Sequence, residues 1–211
     1  MATKAQRRKL KQAFAGFDEI NTFWVDKMDL PEAEKKLRVE MMNELQRKVE
    51  EVPKEEPQRN IDYLLLAALG YVVYKQLYIE FAKKYYQRYM NAVGFNGAMS
   101  TFAKEWINAH AEEFAGYTHK DPQATARTET NALCSLAQLD AYAQMGYTQK
   151  QWITMGDSKV RQSHRDAAGQ IRLLEEPFLV GNSYMMFPQD SSLGAGAEEI
   201  VNCRCSMRPI K

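Results

Sequence analysis

Cysteine is scarce in this chain, with three in 211 residues. Three thiols, one of them (Cys134) in a helical context, do not make the disulfide framework of a small secreted domain. The chain is therefore expected to be made and kept in a reducing cytoplasm. Net charge is nearly absent too: 28 basic residues face 27 acidic ones, leaving +1. That balance excludes a global electrostatic attraction to nucleic acid. Long apolar runs are missing. The longest, Leu64 to Tyr74, falls short of the roughly 20 residues a bilayer requires, so no membrane span is expected. The basic start leads into a mixed, charged stretch, so no signal peptide is expected. There is no internal repeat.

What is present is ordinary for a soluble globular protein: 45% hydrophobic and 26% charged residues. The charge is distributed unevenly, however. Lys4, Arg7, Arg8, Lys9 and Lys11 all precede the first acid, Asp18. Such an end is either a solvated helix face or an arm whose Arg7, Arg8, Lys9 and Lys11 touch DNA phosphates or an acidic partner.

Residues 4–50 read as helix in one or two pieces. Leu10, Phe14, Phe17, Ile20 and Trp24 recur at helical spacing. Asp29-Leu30-Pro31 starts a new helix, with Asp29 as cap and Pro31 in the first turn. Leu37, Met41, Leu45 and Val49 form a narrow seam with charged flanks, a helix that packs on one side or lies along a partner. Val52 to Asn60, with two prolines, is the best linker candidate. A long helix is expected from Ile61 to Val93. Its Tyr71, Tyr74, Tyr78, Phe81, Tyr85, Tyr86 and Tyr89 read as core with phenols at the rim. Lys75, Lys83, Lys84 and Arg88 fall partly on other faces, which disfavours a base-stacking platform.

A further helix is expected from Met99 to Phe114, with His110 packed or solvent-facing. His119, beside Lys120 and Asp121, reads as surface loop. Asp121-Pro122 opens another helix, an acid cap followed by proline, which reaches about Met145 and encloses Cys134 as an inert core thiol. Past Gly146 the character changes. Gln151 to Met155 reads as a strand. Phe178-Leu179-Val180 and Tyr184 to Phe187 read as short strands about a turn at Gly181-Asn182-Ser183. Ile200 to Met207 reads as the last strand. Helices first and a small antiparallel sheet later is the α+β pattern.

Two stretches carry most of the chemistry. Gly156 to Gln170 reads as a short helix, capped by Asp157 or Ser158 and ended by Gly169 in the left-handed conformation. Arg161, His164 and Arg165 would share one face, and Asp157 could pair with Arg161. Glu198 to Cys205 reads as strand, which would put Cys203 and Cys205 on one face. Two thiols and an imidazole are thus a plausible meeting point.

In order along the chain stand Ala126-Arg127-Thr128-Glu129-Thr130, Trp152, Asp157-Ser158-Lys159-Val160-Arg161-Gln162-Ser163-His164 and Gly169-Gln170. Pro177-Phe178, Phe187-Pro188-Gln189-Asp190 and Ala197-Glu198-Glu199-Ile200-Val201-Asn202-Cys203-Arg204-Cys205 follow. Together these pieces resemble the C-terminal domain of the phage Mu F-like minor head proteins, the phage head morphogenesis family, over roughly residues 100–208. The resemblance divides the chain into a helical arm (1–60), a helical region (61–120) and a Mu F-like domain (121–211). It implies a minor head protein of a tailed phage or prophage, without catalytic activity. Such a protein associates with the portal protein and other head proteins in the host cytoplasm during assembly, resides in the virion head, and in some phages accompanies genomic DNA at packaging or ejection.

The resemblance also singles out Asp157, Arg161, His164, Gly169, Glu199, Asn202 and Arg204 as a structural knot. Some relatives carry Cys-x-x-Cys where this chain has Arg161 and His164, and a His-Pro before the final Cys-Arg-Cys, a set suited to Zn²⁺. This chain departs from it: the ligands would be His164, Cys203 and Cys205, with Asp157, Glu198 or Glu199 as a fourth. Without metal, the same residues would form a hydrogen-bonded and ion-paired knot over packed thiols. A Cys203–Cys205 disulfide is disfavoured by their spacing. No cofactor other than Zn²⁺ is implied. The competing reading is a nuclease-like or toxin-related enzyme, with His164 as acid or base and Arg161 stabilising phosphorane charge. Its second acid or base would be Glu129, His119 or a tyrosine.

Overall fold

The computed structural model describes residues 25–28, 30–52 and 62–211, the side chains of 62–68 excepted. The expected helix from Leu10 to Trp24, the Asp29 cap, the linker and the basic residues Arg7, Arg8, Lys9 and Lys11 lie outside these residues. Among the described residues the order is α1 (Glu32–Glu51), α2 (Asp62–Ala92), α3 (Thr101–Gly116), α4 (Pro122–Gln144), β1 (Gln149–Ile153), α5 (Gln162–Ala167), β2 (Ile171–Leu173), β3 (Phe178–Val180), β4 (Ser183–Met185), α6 (Ala197–Ile200) and β5 (Ser206–Ile210). This is the α+β architecture expected: helices first, then two small antiparallel sheets. No helix among the described residues is long and apolar enough to cross a membrane.

α4 is the axis of the molecule. Asp121 caps it, accepting hydrogen bonds from the Gln123 and Ala124 amides at 3.1 and 3.0 Å, and Pro122 needs no partner in the first turn. Nearly every residue from Thr128 to Ala141 is buried, because α1, α2, α3 and β5 all pack against it. Alanines along it let these neighbours approach. Ser100 caps α3 in the same manner, accepting from the Ala103 amide at 3.1 Å.

α1 buries Leu37, Met41, Leu45 and Val49 against α4 and α2. Its buried face is wider than that seam, because Glu34, Arg38 and Met42 are enclosed as well. Pro31 stands just before the first turn, at the cap position. On α2, Tyr78, Phe81, Tyr85, Tyr86 and Tyr89 are core, as expected, and Tyr71 is exposed. Three phenols lie deeper than a rim, the enclosed hydroxyl of Tyr78 among them. Tyr86 donates to Asp140, and Tyr89 donates to Glu34 while accepting from Arg38. The core is continuous from Leu37 on α1 to Met207 on β5.

His119 corrects one expectation. It is buried, not surface, packed between Tyr74 and Phe114 with centroids 4.1 and 4.4 Å away. Its Nε2–H donates to the Phe114 carbonyl at 2.8 Å. Charged neighbours in sequence hid an imidazole that a positive φ of 45° turns inward.

β1 is the central strand of a sheet ordered β2-β1-β5, both pairings antiparallel. Its burial alternates, so Lys150 and Trp152 face inward. β3 and β4 pair as a hairpin, Val180 opposite Ser183. Gly181 at its turn has φ +59°, and a Cβ there would meet Glu199 Oε1 at 2.7 Å. Two further expectations are corrected. The helix foreseen across 157–169 is only Gln162–Ala167, with Arg161 at its cap position. Asp157 instead accepts from the Lys159 amide at 3.0 Å, a local turn that keeps the chain out of helix. The strand foreseen from Ile200 is α6, then a turn in which Asn202 takes φ +56°, then β5. Asparagine tolerates that left-handed conformation, which a continuing strand forbids.

The charge of Arg38 is fully enclosed and bound on all sides. Nε and Nη2 donate to Glu34 at 3.2 and 3.1 Å, Nη1 to Asn131 Oδ1 at 2.7 Å, and Nη2 to the Tyr89 hydroxyl at 2.6 Å. Arg38→Met removes the cation and leaves Glu34 buried with its charge unpaired. The expected loss is about 3–5 kcal/mol in urea unfolding. Adding Glu34→Gln is expected to recover part of it, because the two residues share one network.

Candidate functional site

α5, the turn after α6 and β1 converge on His164. α5 supplies Ser163 and His164, α6 supplies Glu199, and the turn supplies Cys203 and Cys205. His164 Nδ1 lies 3.3 Å from Cys205 Sγ and 3.4 Å from Cys203 Sγ. Nε2 lies 2.9 Å from Glu199 Oε2, which also accepts from Ser163 Oγ at 2.8 Å. Trp152 sets its indole edge-on to the imidazole, centroids 5.8 Å apart. His164, Cys203 and Cys205 are all buried. The two thiols meet as foreseen on the sequence, although they stand in a turn and not on a strand.

The other knot residues lie around this centre. Arg161 does not pair with Asp157. Its guanidinium donates to the Val201 carbonyl and, at 3.5 Å, to the Glu199 carbonyl, stitching α5 to the end of α6. Asp157 pairs with Arg204 through two bonds of 2.7 and 2.8 Å. That guanidinium brings the Asp157 carboxyl down to about 2. Gly169, at φ +80°, ends the α5 segment, and its amide donates to the Trp152 carbonyl at 2.9 Å. Asn202 reaches α4: its amide donates to Thr128 Oγ1 at 3.0 Å, and its Oδ1 accepts from Arg127 Nε at 2.9 Å.

Several contributors were not visible in the sequence. Asn131 on α4 donates to the Cys203 carbonyl at 3.0 Å, and Gln189, at φ +68°, donates to the same oxygen. Lys150, wholly buried, donates to the Leu174 and Met186 carbonyls at 2.7 and 2.8 Å, joining the ends of β2 and the hairpin. Burial lowers its ammonium to about 8. Its inward place on β1 was legible only as alternation, and a lysine is the last residue that pattern would put inside.

The two thiols are shifted in opposite directions. Burial pushes Cys203 up, but hydrogen bonding from Cys205 and His164 outweighs it and brings the group down. Hydrogen bonding to Cys203, followed by burial, pushes Cys205 far up. Burial pulls His164 down, yet the Cys203 interaction and Glu199 leave it raised. The buried imidazole therefore lies between Glu199 and the two sulfurs, with both ring nitrogens engaged. A phosphodiester has no free nitrogen of His164 to meet, and Arg161 is committed to backbone carbonyls.

The residues weighed as a second acid or base lie elsewhere. Glu129 binds His110 Nε2 at 2.6 Å, and His110 Nδ1 lies 3.2 Å from Ser191 Oγ. The geometry has the outline of a serine–histidine–acid group. Its charge state does not suit that chemistry. Burial lowers His110, but Glu129 and Glu113 outweigh burial and raise it to about 9. The imidazole is thus already protonated at neutral pH and cannot act as a base, while the Ser191 hydroxyl donates to Glu113. The group instead ties α3, α4 and the loop after Phe187 together, with Trp106 stacked on His110 at 4.3 Å and donating to Asp190 at 2.9 Å.

Fold and site together define an α+β protein in which a few buried charged and polar groups tie the helices to two small antiparallel sheets. The chain belongs to the Phage Mu protein F-like family, a family of phage head morphogenesis proteins, whose model matches residues 79–208. The match begins inside α2, earlier than the resemblance starting near residue 100. No curated protein and no solved structure matches the chain.

His110 supplies a pH test. Its folded-state pKa of about 9 stands above the usual 6.5. The stability it contributes is complete below pH 6.5 and disappears as pH rises through 9, a span worth on the order of 3 kcal/mol. Lys150 acts in the opposite sense above pH 8, so the comparison is with Glu129→Gln. The stability gap between wild type and Glu129→Gln in urea unfolding is expected to be widest at pH 6 and to narrow towards pH 9.5.

Proposed function

We propose that this chain is a minor head protein, without catalytic activity, that joins the portal protein during procapsid assembly in the host cytoplasm and remains in the virion head. The observation that carries the reading is the family match over residues 79–208. The site supports it. His164 is buried with both ring nitrogens engaged, and the Arg161 guanidinium is bound to backbone carbonyls, which weighs against the nuclease-like alternative.

The test is co-expression of the tagged chain with the portal protein of the phage or prophage that encodes it. Co-purification of the two, and detection of the chain by mass spectrometry in purified procapsids at a low ratio to the major capsid protein, are the expected results. Procapsids that contain portal but none of this chain would remove the reading.

A role with genomic DNA at packaging or ejection rests on Arg7, Arg8, Lys9 and Lys11. Tyr78, Tyr85, Tyr86 and Tyr89 of α2 do not add to it, because they are buried. If the arm touches phosphates, deleting residues 1–11 makes DNA retention less salt-dependent. The log–log slope should become shallower by roughly 0.9 for each phosphate the arm had neutralised. A salt profile identical to that of the full chain removes the arm from DNA binding.

A further inference from the structure

We propose that His164, Cys203 and Cys205 form a zinc site that fastens the turn after α6 to α5. The ligand atoms lie within 4.8 Å of one another, and all three residues are buried. Bond lengths of about 2.3 Å to sulfur and 2.0–2.1 Å to nitrogen put neighbouring ligands of a tetrahedral zinc roughly 3.5 Å apart. The two nitrogen–sulfur separations, 3.3 and 3.4 Å, match that spacing. Both sulfurs approach the same nitrogen. A ring nitrogen has one proton or one lone pair in its plane, so it satisfies one hydrogen-bond partner well and two poorly. A cation set between the three atoms satisfies all of them at once.

The surroundings are those of a ligand held in register. Glu199 accepts from Nε2, which leaves Nδ1 as the metal-facing nitrogen, and Ser163 fixes that carboxylate in turn. The Cys205 amide donates to Cys203 Sγ at 3.4 Å, a bond that favours sulfur as thiolate. The Cys203 carbonyl is pinned by Asn131 and Gln189, so the turn cannot drift. Two thiolates, a neutral imidazole and Zn²⁺ sum to zero charge, which suits a buried site. Soft sulfur ligands with one imidazole select zinc over magnesium or calcium. Asp157 is committed to Arg204 and Glu199 to the far side of the ring.

The test titrates the reduced, full-length chain, purified without chelator or nickel, with Zn²⁺ and separately with Co²⁺. Expected are about one zinc per chain by mass spectrometry of the metal, a sulfur-to-cobalt charge-transfer band on cobalt loading, and a lower melting temperature after metal removal. Cys205→Ser and His164→Ala are expected to lose the band. Glu199→Gln is expected to keep the band while binding about 10- to 100-fold more weakly. If a ligand variant fails to fold, as judged by circular dichroism, the wild-type titration and Glu199→Gln decide alone. Folded wild-type chain that takes up no zinc overturns the proposal. So does a cobalt spectrum that lacks the sulfur band, or one that survives unchanged in folded Cys205→Ser.

Discussion

An arginine carrying a full charge lies in the interior of this protein at 1% exposure. A buried cation is tolerated only when acceptors surround it, so Arg38 constrains its neighbours. Glu34 from its own helix, Tyr89 from α2 and Asn131 from α4 supply those acceptors. Three helices are thereby set to one another by geometry that apolar packing alone would leave looser. Asn131 then passes the constraint on. Its Oδ1 takes Arg38, and its amide nitrogen holds the Cys203 carbonyl. The position of α1 and the position of the cysteine turn are thus fixed from the two ends of one side chain.

The β domain is attached by the same kind of device repeated. Asn202 binds Thr128 and Arg127 on α4, Asp190 receives Trp106 from α3, and Lys150 gathers two carbonyls beneath the hairpin. Thr128, Asp190 and Lys150 are buried, and in each case the partner comes from a distant part of the chain. Leaving any of them unpaired costs more than the bond itself is worth, which makes such bonds specific about arrangement.

Much of the fold could be read residue by residue. Asp121-Pro122 announced the start of α4, the aromatic recurrence on α2 announced core, and Gly181-Asn182 announced the hairpin. All three are local signals, set by capping, period and backbone freedom. The misreadings also share a cause. His119 looked like surface because its neighbours are Lys120 and Asp121, yet Tyr74, more than forty positions earlier, covers it. Asp157 looked like a helix cap because a helix follows, but Arg204 holds it. Glu198 to Cys205 read as strand, but Asn202 turns the chain against α4. In each case a partner remote in sequence outweighed the local preference.

By itself the sequence determined the succession of helices and short strands, the capping residues that bound two of them, and the group of residues that marks the family. Those features depend on neighbours a few positions away, where periodicity and backbone sterics decide the outcome. Tertiary structure alone decided that Arg38, Lys150 and His110 would be interior. It also decided that Glu129 would serve His110 and not His164, and that two thiols in a turn would face one nitrogen. A buried charge gives no sign in sequence of what will neutralise it. Its partner is chosen by the approach of elements packed from far along the chain, and that approach exists only once the core has closed.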